Sequence, residues 1–208
     1  MTDAVRDAYD ARSKEYANLF LDHLDRVPLD RERLEAFASL VSPGDGVVAD
    51  LGCGPGNVVN HLAGLGVAAV GYDISAAMID EARHAFPGGK FLVGDLTSLD
   101  IADSSLAGIV SRYSLIHLDP ARLADVFAEW FRVLEPGAPV LVSFFASDSS
   151  DTHGLSFDHA VVTAHALFPE ILVAEMGSAG FDRFEVSTRE PQEDERPLDH
   201  GVILAHRG

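Results

Sequence analysis

Three aspartates and three glycines carry the chemistry that this chain's residue types and spacing suggest. Asp50 stands just ahead of Gly52, Gly54 and Gly56, while Asp73 and Asp95 each follow a short apolar run further along. The glycines form a bend with almost no side-chain bulk between an apolar stretch, residues 47–51, and a helix-like stretch, residues 57–63. Amides in such a bend, joined by those of the first helical turn, can close around an anionic or polar group. Cys53 lies inside the bend and is the only cysteine, so it forms no internal disulfide and reads as a small packing residue.

The dinucleotide fingerprint needs a third glycine where helix and strand pack closely. Counting from Gly52 puts Asn57 in that place, and counting from Gly54 puts Val59 there, so the fit to NAD or FAD is poor. Asp73 nevertheless lies about 20 residues beyond Gly52, where an acid that binds ribose hydroxyls belongs. Asp50, Asp73 and Asp95 arriving together at one sheet edge would repel a pyrophosphate. They suit a ligand with an adenine amino group, a diol and a cationic amino-acid portion, which S-adenosylmethionine supplies.

The elements that must position these residues read as alternating strands and helices. Residues 4–20 and 31–41 are expected as helices, with Tyr9 and Tyr16 two turns apart on one face of the first. Strands are expected at 47–51, 67–72, 91–93, 106–111 and 140–145. Helices lie between most of them: one at 57–63, one capped by Ser75, and one started by Asp119-Pro120 with Leu123, Phe127, Trp130 and Leu134 on its core face. Residues 146–158 read as a long polar loop, 168–179 as a helix stopped by Gly180, and 181–188 and 201–205 as a final pair of strands that can be antiparallel. The fold class is therefore α/β, a mostly parallel sheet with helices on both faces.

At 208 residues, the chain accommodates one complete α/β domain. Within it, residues 1–42 are expected as N-terminal helical cap elements and 146–166 as an acceptor-side loop or lid insertion. Acidic residues outnumber basic ones 33 to 15, a net charge of −18, which repels the phosphates that a nucleic-acid binder must attract. No apolar run is long enough to span a membrane, and the polar first residues do not resemble a secretory leader, so a cytoplasmic location is expected. His153, His159 and His165 recur at a spacing that suits neither one helical face nor a zinc signature, so no metal is expected.

With those residues in hand, the sequence resembles the class I S-adenosylmethionine-dependent methyltransferases over most of its length. V-A-D-L-G-C-G-P-G at 48–56 is similar to the family's first motif, G-Y-D-I-S at 71–75 to its second and G-D-L at 94–96 to its third. A-E-W-F-R-V-L-E-P-G-A at 128–138 resembles the helix and turn ahead of the fifth strand; Ala138 departs from the usual second glycine after the proline. The resemblance implies a Rossmann-like seven-stranded sheet of order 3-2-1-4-5-7-6 with strand 7 antiparallel. It also implies that Gly52, Gly54 and Gly56 hold the methionine portion, with Asp50 near its ammonium. Asp73 would bind the ribose hydroxyls, Ile74 and Met78 would flank the adenine, and Asp95 with Leu96 would hold its amino group and ring. Arg112 and Ser114 would lie near the reactive centre, and Tyr9 and Tyr16 would close over the cofactor.

The reaction so implied moves the sulfonium methyl to an oxygen, nitrogen or carbon of a small-molecule acceptor, leaving S-adenosylhomocysteine. An alcohol or neutral phenol needs a general base, for which His117 comes first, with Tyr16 and His153 behind it. Acceptor choice is expected from the N-terminal helices and residues 146–166. Neither a nucleic-acid nor a membrane partner is expected, whether the chain is a monomer or a homodimer. Two other readings compete: an NAD-type oxidoreductase, and a non-catalytic regulatory protein that binds S-adenosylmethionine.

Overall fold

A computed structural model describes residues 1–41, 44, 46–147, 155–159, 161–192 and 195–208. Three helices come first: α1 (Asp3–Phe20), α2 (His23–Arg26) and α3 (Pro28–Ser39). Thr2 caps α1 by accepting from the Val5 amide, and Pro28 opens α3, where its missing N–H costs nothing. Beyond them the chain alternates through β1 (Val47–Leu51), α4 (Asn57–Gly64), β2 (Ala69–Asp73), α5 (Ala76–Ala85), β3 (Lys90–Val93), β4 (Leu106–Arg112), α6 (Leu123–Val133) and β5 (Pro139–Ala146). Ser75 caps α5 through the Met78 amide at 3.0 Å, as its position implies. The last third holds β6 (Leu155–His159), β7 (Val162–Ala166), α7 (Pro169–Ala179), β8 (Phe181–Arg189) and β9 (Asp199–Arg207).

Seven strands form the main sheet in the order β3-β2-β1-β4-β5-β9-β8. The first five run parallel, and β9 is antiparallel to both of its neighbours. This is the expected Rossmann-like order; the labels of the last two strands shift because β6 and β7 pair apart from the sheet as an antiparallel hairpin. That hairpin corrects the reading of 146–158 as loop throughout. Its strands have no apolar run to betray them: Phe157 packs edge-on against Phe145 at 5.5 Å, and Ala164 and Ala166 are fully buried. Packing beneath the sheet's edge, rather than local pattern, holds these two strands. The short α2 and the earlier start of α3 also go beyond the sequence reading.

Apolar clusters cover both faces of the sheet. On one, Phe127, Trp130 and Val133 of α6 and Met176 of α7 pack with Ile109, Val140 and Val142. On the other, Leu34 and Phe37 of α3 and Leu62 of α4 pack with Val48, Val110 and Leu141. Trp130 is completely buried, with its indole N–H donating to the Leu96 carbonyl at 3.0 Å, so it is core, as its helical spacing implies. Among the described residues, no helix is long and apolar enough to cross a membrane.

Candidate active site at the strand ends

The β1–α4 bend is shaped by close approach. Gly52 has φ +81°, and a Cβ there would meet the Ser114 Cβ at 2.4 Å; Gly56, at φ +88°, has the Phe91 ring 2.7 Å from where its Cβ would stand. Ser114 is spent on structure, donating to the Leu51 carbonyl at 2.8 Å and lying 2.5 Å from the Ser111 hydroxyl. It therefore ties the end of β1 to the end of β4.

Asp73 ends β2 and accepts from the Gly54 amide at 3.0 Å and the Ser75 amide at 2.9 Å. Burial pushes its carboxyl up to about 6 against the pull of those amides. Asp50 is 1% exposed, and its Oδ2 has no hydrogen-bond partner. Burial raises it to about 7, with Arg112 opposing and Asp73 adding to the rise. A buried carboxylate oxygen without a donor is costly, and this one belongs to a residue that lines the large cavity described below.

Asp95 is engaged by the chain's first residue. The Met1 ammonium approaches its Oδ2 at 2.5 Å, and the Thr97 hydroxyl and amide donate to its Oδ1 at 2.8 and 2.9 Å. Burial alone would raise this carboxyl, but the ammonium and Thr97 hold it below its ordinary value. Met1, Tyr9, Ile74 and Leu96 line a small cavity of about 40 Å3 beside Gly52, Gly54 and Asp73. Helix α1 roofs it, fastened where Ser75 Oγ and the Ala77 amide donate to Asp10 at 2.6 and 3.1 Å. Tyr9 and Tyr16 meet edge-on at 5.3 Å over the bend. Burial lifts the Tyr16 hydroxyl to about 12.

A second cavity, of about 640 Å3, opens on the other side of the same bend. Tyr16, Gly52, Gly54, Arg112 and Tyr113 line both cavities. Behind Arg112 and His23 on its wall stands the buried Asp30, which holds the Arg112 guanidinium and lies 3.4 Å from His23 and 3.6 Å from Arg33. Burial pushes Asp30 up, and His23 with Arg112 more than reverses this, to about 2. Within electrostatic reach of Asp30, Arg189 donates twice to Glu195, at 2.5 and 2.6 Å, holding that carboxyl at about 2. His200 Nε2 is 3.5 Å from Glu195, and His200 Nδ1 is 2.6 Å from the Tyr113 hydroxyl.

The expected residues thus converge unevenly. Asp50, Gly52, Gly54, Asp73, Ile74, Leu96, Arg112, Ser114, Tyr9 and Tyr16 line one cavity or the other, whereas Gly56, Met78 and Asp95 stand just behind the walls. His117 faces the small cavity and not the large one; its Nε2 shares a 2.7 Å hydrogen bond with the Tyr9 hydroxyl, and burial lowers it to about 3. His153 lies outside the described residues. Asp30, Tyr113, Glu195 and His200 were not singled out by sequence, and only Tyr113, directly after Arg112 at the end of β4, carried a positional signal. Among the described residues, no cluster of three or more histidines, cysteines or acids could hold a metal.

The donor set fits the nucleoside methyl donor at its amino-acid end. Asp50 offers a free buried carboxylate oxygen, and the bend is open at Gly54, where the Tyr16 ring, at 3.8 Å, is all that stands within 4 Å of a Cβ position among the described residues beyond its chain neighbours. Asp73 keeps acceptor capacity beyond the two amides it receives. At the adenine end the chemistry fits but the space is closed: 40 Å3 is far below the roughly 300 Å3 of small-ligand pockets. Met1 and the start of α1 must draw back to admit a purine.

Comparison with known proteins supports the same family. A methyltransferase-domain family profile matches residues 48–137. A malonyl-acyl-carrier-protein O-methyltransferase of Yersinia pestis is 32% identical over 108 residues, which is 52% of this chain and 40% of that protein. The chain spans less than half the length of that relative. A S-adenosylmethionine-dependent methyltransferase structure from Methanosarcina mazei superposes with a TM-score of 0.71 at 25% identity, over 83% of this chain and 96% of the other. A putative methyltransferase of Haloferax volcanii, solved with its Trm112 activator, gives 0.75 at 19% identity over 98% and 97%, which speaks to the fold alone.

Proposed function

We propose that this chain, which resembles the class I S-adenosylmethionine-dependent methyltransferases, transfers the methyl group of that family's donor to a small-molecule acceptor held in the 640 Å3 cavity. S-adenosylmethionine is the cofactor of that family, and when bound it supplies a methyl group already activated by positive sulfur. The observation that carries the proposal is the unpartnered oxygen of buried Asp50, beside the Gly52–Gly54 amides and on the wall of the large cavity. That oxygen is matched to the donor's ammonium. Asp73 takes the ribose hydroxyls, and Ile74 and Leu96 flank the purine once α1 has drawn back.

The protein's part in catalysis is mainly positional. Tyr16, Arg112 and Tyr113 stand where the two cavities meet, so they hold donor and acceptor in line and keep water out. A cavity of this volume with aromatic walls suits a small molecule, and a net charge of −18 disfavours nucleic acid. Calorimetry with S-adenosylhomocysteine tests the cofactor half, and product mass over a panel of carboxylates, phenols, amines and acyl thioesters tests the acceptor half. Absence of heat with folded protein would end the proposal. Heat without any methylated product would leave a non-catalytic binder.

A further inference from the structure

Resting on the methyl-transfer reading, we propose that Tyr113 and His200 are the proton-accepting pair for a hydroxylated aromatic acceptor, with Glu195 as the residue that positions His200. Three observations converge on this pair. Tyr113 lines both cavities, which places it at the junction where a methyl group would cross from one to the other. It holds φ at +54°, a conformation that a bulky side chain seldom adopts without a reason, and its amide is fixed to the Ser143 carbonyl at 2.7 Å. The third is the chain of contacts behind it: Tyr113 hydroxyl to His200 Nδ1 at 2.6 Å, then His200 Nε2 to Glu195 at 3.5 Å.

His200 Nε2 makes no hydrogen bond among the described residues and lies 3.5 Å from the Glu195 carboxylate, whose charge favours the ring proton on that nitrogen and leaves the Nδ1 lone pair for the Tyr113 hydroxyl. Burial and the neighbouring Arg189 lower His200, while Glu195 and Asp30 raise it and His23 lowers it further, so the ring stays neutral and able to take a proton. Burial lifts the Tyr113 hydroxyl, with Asp30 and Glu195 adding to the rise against Arg112 and Arg189, so it acts as a relay and not as a standing phenolate. The acceptor's O–H bond breaks and its proton passes to Tyr113 Oη while the proton already there moves to His200 Nδ1. The freed oxygen pair takes the methyl group from the donor, whose C–S bonding pair returns to sulfur as the thioether. His200 ends as an imidazolium facing Glu195.

The aromatic class of acceptor follows from the walls. Tyr113 and Phe145 are 5.0 Å apart, Phe145 and His200 5.2 Å, and Tyr16, Phe20 and His159 line the same cavity. His117 does not share this position, because it lines only the small cavity and is bonded to Tyr9.

Two readouts test the pair. Ring-nitrogen NMR of His200 should show the proton on Nε2 and a hydrogen-bonded Nδ1 that shifts in Tyr113→Phe; a proton on Nδ1 would overturn the proposal without any turnover. Methyl transfer is then measured to 4-methylphenol, which keeps its proton, and to 4-nitrophenol, already ionised in mildly alkaline buffer. Tyr113→Phe and His200→Gln should each lower transfer to 4-methylphenol about 100-fold more than they lower transfer to 4-nitrophenolate, with a smaller selective loss in Glu195→Gln. Equal losses for both phenols, or no transfer to either by wild-type protein, would overturn it. S-adenosylhomocysteine calorimetry on the same proteins separates the cases: normal binding keeps the methyl-transfer reading, and no binding to wild type removes the reading itself.

Discussion

The slot under α1 and the cavity beyond Arg112 share the Tyr16, Gly52, Gly54, Arg112 and Tyr113 wall, yet they are held by different physics. In the slot, main-chain amides do most of the work: Asp73 receives Gly54 and Ser75, and Gly52 and Gly56 let Ser114 and Phe91 pack closer to the bend than any Cβ would allow. Around the bend the acids sit high, Asp73 in the slot at about 6 and Asp50, on the cavity side of the same bend, at about 7, because burial outweighs the donors around them. Away from the bend, side chains hold side chains and the acids sit low: Glu195 on the cavity wall and Asp30 behind Arg112 both lie at about 2, satisfied by arginine and histidine. The bend keeps charge unsatisfied where a cationic ligand can meet it. The far side of the cavity has paired its charges and presents aromatic rings.

Asp30→Asn should give the largest effect and should fall on stability. It leaves the Arg112 guanidinium buried without its carboxylate, at a cost of about 3–5 kcal/mol. For a chain of this size that lowers the melting temperature by about 10 °C. Because Asp30 is depressed in the folded state, its stabilisation is present above the ordinary carboxylate range and is lost as pH falls toward about 2. A melting temperature unmoved at neutral pH would erase the contrast between the two regions.

Asp50→Asn comes next, with the opposite pattern. Removing the charge that meets the ammonium should weaken S-adenosylhomocysteine binding by about 100-fold in calorimetry, since hydrogen bonds between charged groups are worth about 1.5–3 kcal/mol each. The free protein should become more stable above pH 7, because folding no longer has to bury an ionised carboxylate there. Weaker binding with a higher melting temperature is the signature; a fall in both would place Asp50 in the structural class with Asp30.

The slot was legible because its parts lie within short stretches of chain: a strand, a glycine bend and an acid at the end of the next strand fix their own geometry. Asp50, Asp73 and the bend could therefore be named from spacing alone. The cavity was not legible, since Asp30, Tyr113, Glu195 and His200 come from α3, the end of β4, the β8–β9 connection and β9, and nothing local in their sequence links them. The hairpin of β6 and β7 escaped for a similar reason, being held by Phe145 and not by an apolar pattern of its own. His117 was conspicuous in the sequence as a histidine just past β4, and the fold places it on the slot, bonded to Tyr9, whereas His200 lines the cavity.

A pH titration sharpens the comparison at about 1.4 kcal/mol per unit. With Asp50 at about 7 in the free protein, S-adenosylhomocysteine affinity should fall as pH drops below 7, approaching tenfold per unit, and more steeply below about 6 as Asp73 also takes a proton. The sign follows from the ligand's donors, which need both carboxylates ionised. A flat profile between pH 8 and pH 6 in calorimetry would mean that neither acid meets the ligand; the Asp50→Asn protein should lose the upper part of the slope only.

The smallest effect tests how far the packing of Phe157 on Phe145 reaches. Phe157 lies edge-on to Phe145 at 5.5 Å and under the Arg196 guanidinium, 5.5 Å from the ring centre. Phe157→Leu keeps apolar bulk but removes both ring contacts, which together are worth about 1 kcal/mol. That predicts a melting temperature lower by a few degrees and a raised KM for any phenol that is turned over, since Phe145 loses its buttress on the cavity side. S-adenosylhomocysteine affinity should stay within about twofold of wild type, a change below about 0.5 kcal/mol. The reason is that Phe157 lines neither cavity and the hairpin meets the slot through His159, edge-on to His117 at 5.1 Å. If affinity for the product fell along with acceptor binding, the shared wall would be transmitting strain, and the two cavities would have to be treated as one site.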